Sequence, residues 1–502
     1  SSADRNTTNA KLAIQLGSDS QLTIIGNSFK TTAQDPLGLS LSAINSNSQA
    51  AGYNASAWNS RKSVEQNQGG LEFLKKIDSN SQFKLSGYYG QRTQDQYQAP
   101  SPTTTLYSGI YKGGEISLDR SFYGYDLQYQ SNFSIAKGAK FVLGLAYDKN
   151  TDKSTSSCNQ LGVIVNCPSS PTSLYTNAAF NAQNFDQYMQ TQVYLTDQLT
   201  FDAGIRHADV TLGASNNQAY SSSSSSPDNW TSGARTYSAI LPMSSLSYLI
   251  TATTNIYLSV GRGSDTPTLN QIKYGCTANC AAISYAPVFL EASTTNQYEL
   301  GIKQKIPGVG NFSAALFEAD TNKEIVVAKN IAGKSAYTNA DKTKRQGFEL
   351  FANVALPSNF GATLSYTYLL AKVDSAYYPY TTGPVISAGS FIPGIPKQKI
   401  FGDLFWRKPN QSVDLGIEVL SVSGMTADDA NNFSADGYTI LNLRASFRQK
   451  ISGWTVSEFI RVNNLTDKYY VGSVIVNQSS GYYFEPAPGR NWIIGAKANY
   501  KF

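Results

Sequence analysis

No stretch of this 502-residue chain approaches the roughly 18 consecutive apolar residues of a membrane-crossing helix. That excludes helical spans and leaves strands open, because a barrel strand shows lipid only every second residue. One His and three Met give a haem or copper carrier too few ligands to work with. Charged residues are only 15%, and Lys+Arg 40 against Asp+Glu 35 leaves a dispersed +5, which does not point to nucleic acid. No nucleophile with a neighbouring base, paired acid/base carboxylates or phosphate loop is present, so neither catalysis nor a cofactor is expected. The glycines of "VGRGSDT" follow a strand and lead to Pro267 rather than into a helix. The chain opens on the polar "SSADRNTTN", without a starting Met or a signal peptide, which reads as a mature chain or a fragment.

Aromatic residues are plentiful, with Tyr 32 and Phe 23, although mean hydropathy is only -0.29. The last twelve residues, "NWIIGAKANYKF", show how these fit together. Trp492, Ile494, Ala496, Ala498, Tyr500 and Phe502 share one face, and Ile493, Gly495, Lys497, Asn499 and Lys501 the other. A period of two with an aromatic at each end of the apolar stripe suits a strand whose rings sit at the two membrane interfaces. In "LTFDAGIRH", Leu199, Phe201, Ala203 and Ile205 alternate with Asp202, Gly204 and Arg206; His207 shares the Ile205 face and is assigned to the outer girdle. In "RQGFELFANV", Phe348, Leu350, Ala352 and Val354 alternate with Gly347, Glu349 and Asn353, with Phe351 breaking the polar face. The polar side reads as a lumen and the apolar side as lipid-facing.

Such segments come in pairs joined by a few turn residues, such as "AKLAIQLG", "SDS", "QLTIIGNSF" and "QVYL", "TDQ", "LTFDAGIRH". Long polar connections run from Thr31 to Lys62, Ser154 to Gln183 and Gly213 to Arg235. Short turns at one end and long loops at the other are the plan of outer-membrane barrels. Nine pairs plus the last strand predict roughly 19 strands, with the two termini at opposite membrane ends. Bacterial barrels are even-numbered, so about three strands are expected to be missing from a barrel of about 22, which makes the chain an N-terminally truncated barrel domain over residues 1–502.

Six ordered stretches resemble the barrel of TonB-dependent outer-membrane receptors, on the ferric-dicitrate-receptor-like branch. They are "YLSVGRGSDTPTLNQI", "LEASTTNQYELGIKQKI", "YTNADKTKRQGFEL", "IPGIPKQ", "RVNNLTDKYYVGSVIVN" and "FEPAPGRNW". "DPLGLS" and "YNASAWNSRKSVEQNQGGL" also look like a loop of that branch. The plug, the TonB box and the first strands of that family have no counterpart here. The resemblance implies uptake of a ferric chelate across the outer membrane of a Gram-negative bacterium, driven by the TonB complex. It further implies outer-membrane lipid and the barrel assembly machinery as partners, a C-terminal insertion signal in Trp492, Tyr500 and Phe502, and a monomer. The alternatives are a passive porin and TonB-dependent uptake of a non-iron solute.

Site residues are assigned on that basis. Arg262 and Asp265, where a strand leaves the membrane, are candidate ligand contacts; the alternative for Arg262 is a rim residue that holds the loop. Arg206, Glu299, Arg345 and Glu349 face the lumen, preferentially as wall-to-plug ion pairs. Cys158 with Cys167 and Cys276 with Cys280 fall in outer loops of an oxidising envelope and are expected to form two disulfides rather than a metal clip, since no His or acidic cluster accompanies them. No metal site is expected.

Overall fold

The computed structural model describes residues 2–500 except 47–50, 53–54, 100–112, 161–162, 166–173, 218–230, 277, 282, 332 and 411. Nineteen antiparallel strands run in chain order from Ala3–Leu16 to Asn491–Tyr500, each hydrogen-bonded to its sequence neighbours, and a three-residue strand, Val163–Val165, folds back on Cys158–Gln160. The sheet is a meander throughout. A six-residue helix, Leu41–Ser46, and one short 3-10 turn are the only helical elements among the described residues.

Connections of two to five residues close one end of every hairpin. In one of the two tightest, Ile451 pairs with Trp454, and Ser452 and Gly453 both take positive φ (44° and 85°). Two positive-φ residues in a two-residue loop match the right-handed twist of the flanking strands. At the other end, connections such as 35–60, 266–292, 376–397, 423–437 and 464–490 are long. The exception is Gly310–Ile331 with Lys334–Ala355, where the strands themselves extend to 22 residues. Crossing hydrocarbon needs only about 9–11 tilted residues. Since the turn end is short, the surplus length rises beyond the membrane on the loop side.

Alternation sorts the two faces. On the outer face Leu316, Leu300 and Leu258 stand side by side in register, all more than half exposed, as a lipid-facing band must be. Aromatic residues flank the band: Phe83 packs near Tyr129 towards the turn end, and Tyr123, Tyr125 and Tyr147 cluster towards the loop end. Trp492 and Tyr500 face outward with Ile494, and Tyr500 lies 4.9 Å from the Trp454 ring at the turn end. Phe502 lies outside the described residues. Ala3 sits at the loop end and Tyr500 at the turn end, so the first and last described strands end at opposite ends of the wall.

Buried apolar residues gather at the loop end. Phe180, Leu212 and Tyr237 of the wall pack under Leu269, Ile272, Tyr274 and Tyr285 of the 266–292 connection. A second cluster joins Met425 and Ala427 to Tyr483 and Phe484, with Ile44 against it. Leu39 and Phe484 exchange backbone hydrogen bonds of 2.7 and 3.1 Å, so the first long connection is tied to the last. Among the described residues no pairing joins Ala3–Leu16 to Asn491–Tyr500. The wall has two free edges, although its mouth is bridged.

Candidate functional site: the lumen wall and the loop mouth

Charged side chains on the inner face are neutralised mainly within the wall. Asp152, 1% exposed, accepts from Arg120 Nε and Nη2 at 2.6 and 2.8 Å. Arg444 donates to Asp403 at 2.8 Å and to Asp414, and lies 3.4 Å from Glu418; Arg461 grips both Glu418 oxygens at 2.7 and 2.5 Å; Arg407 reaches Asp414 at 2.5 Å. Three carboxylates and three guanidiniums are thus matched across four neighbouring strands. Alternation brings this about: residues two apart on one strand face the same side and meet the diagonal neighbours of the next.

Arg206 and Arg345 each pair with a carboxylate of the wall itself. Arg206 pairs with buried Asp186, and Arg345 with Glu324 at 2.6 and 2.9 Å, where Thr343 also donates to Glu324. Both are wall-to-wall pairs. Glu299 accepts from Tyr257 at 2.5 Å and Glu349 from Thr367 at 3.5 Å, and neither has a cation in ion-pair range among the described residues. These two remain open to a partner in the lumen.

Arg262 and Asp265 do not converge. Arg262 shares parity with Leu258 and Val260 and is exposed on the outer face, whereas Asp265, last residue of the strand Thr254–Asp265, follows Ser259 and Gly263 on the other. The Asp265 carbonyl accepts from Ser293 Oγ at 3.3 Å. A strand end near the mouth satisfied the positional reading, and side-chain alternation overrides it for Arg262. Cys276 and Cys280 are bonded, with Cα atoms 4.7 Å apart. The expected pairing of Cys158 with Cys167 lies outside the described residues. His207 has its Nε2 3.1 Å from Ser238 Oγ on the outer side, and no group of three metal-ligating side chains occurs among the described residues.

Missed entirely from sequence is a latch across the mouth. Asp429, 6% exposed, accepts from the Tyr377 hydroxyl at 3.0 Å and from Asn477 Nδ2 at 2.7 Å, while its N–H donates to Asn477 Oδ1 at 3.0 Å. Asn477 also donates to the Val327 carbonyl at 2.6 Å, and Asn431 exchanges two hydrogen bonds with the Phe391 backbone. One carboxylate therefore holds the 376–397, 423–437 and 464–490 connections together. Nothing in a period-two pattern marks it.

Burial pushes the Asp429 carboxyl up from its ordinary 3.8, against the hydrogen bonds from Asn477 and Tyr377. Burial and the Asp429 charge likewise raise the Tyr377 hydroxyl, and burial lowers the Lys273 ammonium in the 266–292 connection. The folded protein keeps the Asp429 proton to a higher pH than the unfolded chain does. Its contribution to stability is therefore most favourable below the ordinary value of 3.8 and is lost as pH rises through the raised value. Hydrogen exchange, corrected for intrinsic rates, is expected to show protection of these three connections falling across that window, and falling less in Asp429→Asn. A pH-independent difference between the two proteins would contradict this.

The family model described as "TonB dependent receptor-like, beta-barrel" matches residues 8–465. The chain belongs to this family. It is accordingly an outer-membrane barrel of the Gram-negative type, and its outer band and girdles face lipid. This receptor barrel is 25% identical over 426 residues to the ferrioxamine receptor of Yersinia enterocolitica, a match over 80% of this chain and 55% of that protein. It is 26% identical over 201 residues to the ferrioxamine B receptor of Salmonella typhimurium, covering 39% of this chain and 27% of that one. The chain thus spans about half the length, or less, of the curated relatives it matches. Among solved structures, the ferric citrate transporter FecA in its unliganded form superposes with a TM-score of 0.76 at 16% identity, over 99% of this chain and 70% of FecA. The ferric yersiniabactin uptake receptor FyuA from Yersinia pestis gives 0.75 at 15%, over 100% and 71%. At these identities the superpositions speak to fold alone.

Proposed function

We propose that this chain forms the wall and mouth of an outer-membrane receptor that takes up a ferric chelate with energy supplied by the TonB complex. The observation that carries the reading is a polar, ion-paired lumen beneath a mouth whose described loops are tied together by buried clusters and hydrogen bonds. A passive pore gains nothing from loops that cover its opening; a carrier of scarce solute uses them to hold what it has captured. The names of the ferrioxamine relatives support iron as cargo, and the family is one of transport receptors rather than enzymes.

The open wall fits a barrel completed by further strands of the same protein, with a plug domain in the lumen carrying the contact to TonB. Each free edge presents a row of unpaired backbone groups, which hydrocarbon penalises by several kcal/mol apiece. A lumen ringed by nineteen or more strands also needs filling to hold the permeability barrier. The test is growth of a receptor-deficient strain fed single ferric chelates through the full-length gene. Growth on at least one chelate, lost when TonB is deleted, is the expected result. Growth independent of TonB would point to a pore instead. Uptake of another scarce solute, with no iron chelate used, would keep the mechanism and change the cargo.

A further inference from the structure

We propose that a hollow of about 380 Å³ in the lumen wall, lined by Arg92 among others, binds an anionic, oxygen-rich group that also carries an N–H or O–H donor. Among the described residues Arg92 makes no hydrogen bond or ion pair, and its Nε is buried without a partner. Arg120 stands opposite it in register, with its own guanidinium committed to Asp152. With Arg120 matched to Asp152, the lining still holds Arg92 and Lys149 against the single carboxylate of Asp148, which leaves a local excess of positive charge.

The acceptors are as informative. Asn184 donates its Nδ2 to Asp186 at 2.7 Å, and since a carboxylate only accepts, this fixes the amide and leaves Oδ1 free; that atom is buried without a donor. Asn150 Oδ1, on the adjoining strand, is buried and unbonded as well. Buried polar atoms of this kind imply an occupant that supplies the missing partners.

The floor is made to receive it. A Cβ on Gly90 would overlap the Phe122 ring, and one on Gly124 would overlap Asp148 and the Tyr88 hydroxyl, which donates to Asp148. Both glycines let an aromatic ring lie across the wall, and the two ring centroids are 6.2 Å apart. A planar group can pack on these rings while its oxygens meet Arg92 and its donors meet Asn150 and Asn184. The hollow sits just above outward-facing Tyr89 and Tyr123, at the height of the outer girdle.

This chemistry has two sources, the ferric chelate itself or a carboxylate-bearing polypeptide segment lying in the lumen; only the first rests on the transport reading. The experiment uses purified full-length receptor, with Arg92→Gln and Arg92→Lys, checked for folding by heat-modifiable migration. Ferric citrate and a ferric tris-catecholate, both anionic, serve as probes by tryptophan fluorescence, and thermal midpoints are recorded without probe. A chelate source predicts that Arg92→Gln weakens the bound probe by about tenfold or more and that Arg92→Lys recovers most of it. A polypeptide source predicts unchanged affinities with a lower midpoint in Arg92→Gln, restored by Arg92→Lys. If wild type binds neither probe, the transport reading fails for these chelates while the midpoint still decides the site. Unchanged affinity together with an unchanged midpoint overturns the proposal.

Discussion

Arg444→Leu is expected to destabilise the barrel by about 3 kcal/mol, the low end of what breaking one side of a buried ion network costs. Its guanidinium is matched to Asp403, Asp414 and Glu418. Without it, Asp414 still has Arg407 and Glu418 still has Arg461. Asp403 is left alone. Its side chain is 13% exposed, and its Oδ1 is already buried without a partner, so the charge has nowhere to go. The wall is shaped around the arginine: a Cβ on Gly416 would overlap the guanidinium. Urea unfolding in detergent or lipid measures the loss, and Asp403→Leu in the same background should recover most of it by removing the orphaned charge. A loss below about 1 kcal/mol, or no recovery in the double variant, would show that the network is solvated and energetically idle.

Phe180→Ala is expected to release the 266–292 connection while leaving the wall intact. Phe180 is fully buried at the loop end of the strand Leu174–Tyr194, against Tyr285 and under the Lys273 ammonium, which lies 5.3 Å from its ring centroid. Truncating such a ring costs about 3–5 kcal/mol through lost transfer energy and the cavity left behind. The backbone ladder to both neighbouring strands does not involve the ring. The cost therefore falls on docking of the loop, and 3 kcal/mol or more corresponds to opening increased by about a hundredfold. Lys273 supplies the readout, because it is 6% exposed in the folded protein and becomes a trypsin site when the loop lifts. Cleavage after Lys273 should accelerate by about that factor in Phe180→Ala. Equal rates in the two proteins would mean that the loop is held elsewhere.

Much of the architecture was legible from the chain, because lipid imposes a rule that sequence must display. Each crossing needs an apolar stripe at every second position, so "LTFDAGIRH" and "NWIIGAKANYKF" reveal their two faces. Nine short turns follow from the same pattern. Above the membrane the rule lapses. The strands Ala139–Gln160 and Leu174–Tyr194 run well into the stretch from Ser154 to Gln183, which reads as a polar connection, because a strand with water or loops on both sides has no stripe to show.

The outward set of Arg262 was present in the spacing from Leu258 and Val260. The family motif drew attention to its position along the strand instead of its face. Arg206, Arg345, Glu299 and Glu349 could be placed on the lumen by parity, yet nothing local distinguishes an arginine that is neutralised across the wall from one that is not. Arg206 finds Asp186, twenty residues away, and Arg92 finds no partner among the described residues.

By itself, then, the sequence determined the strand period, the inner and outer faces, the short-turn end and the number of crossings, all of which follow from local alternation under the constraint of lipid. Only the tertiary structure decided which lumen charges cancel, that Asp429 ties three loops into one latch, and that Arg92, Asn150 and Asn184 share a hollow. Those outcomes depend on register between strands and on loop contacts spanning tens of residues, and no pattern within a single strand encodes such distances.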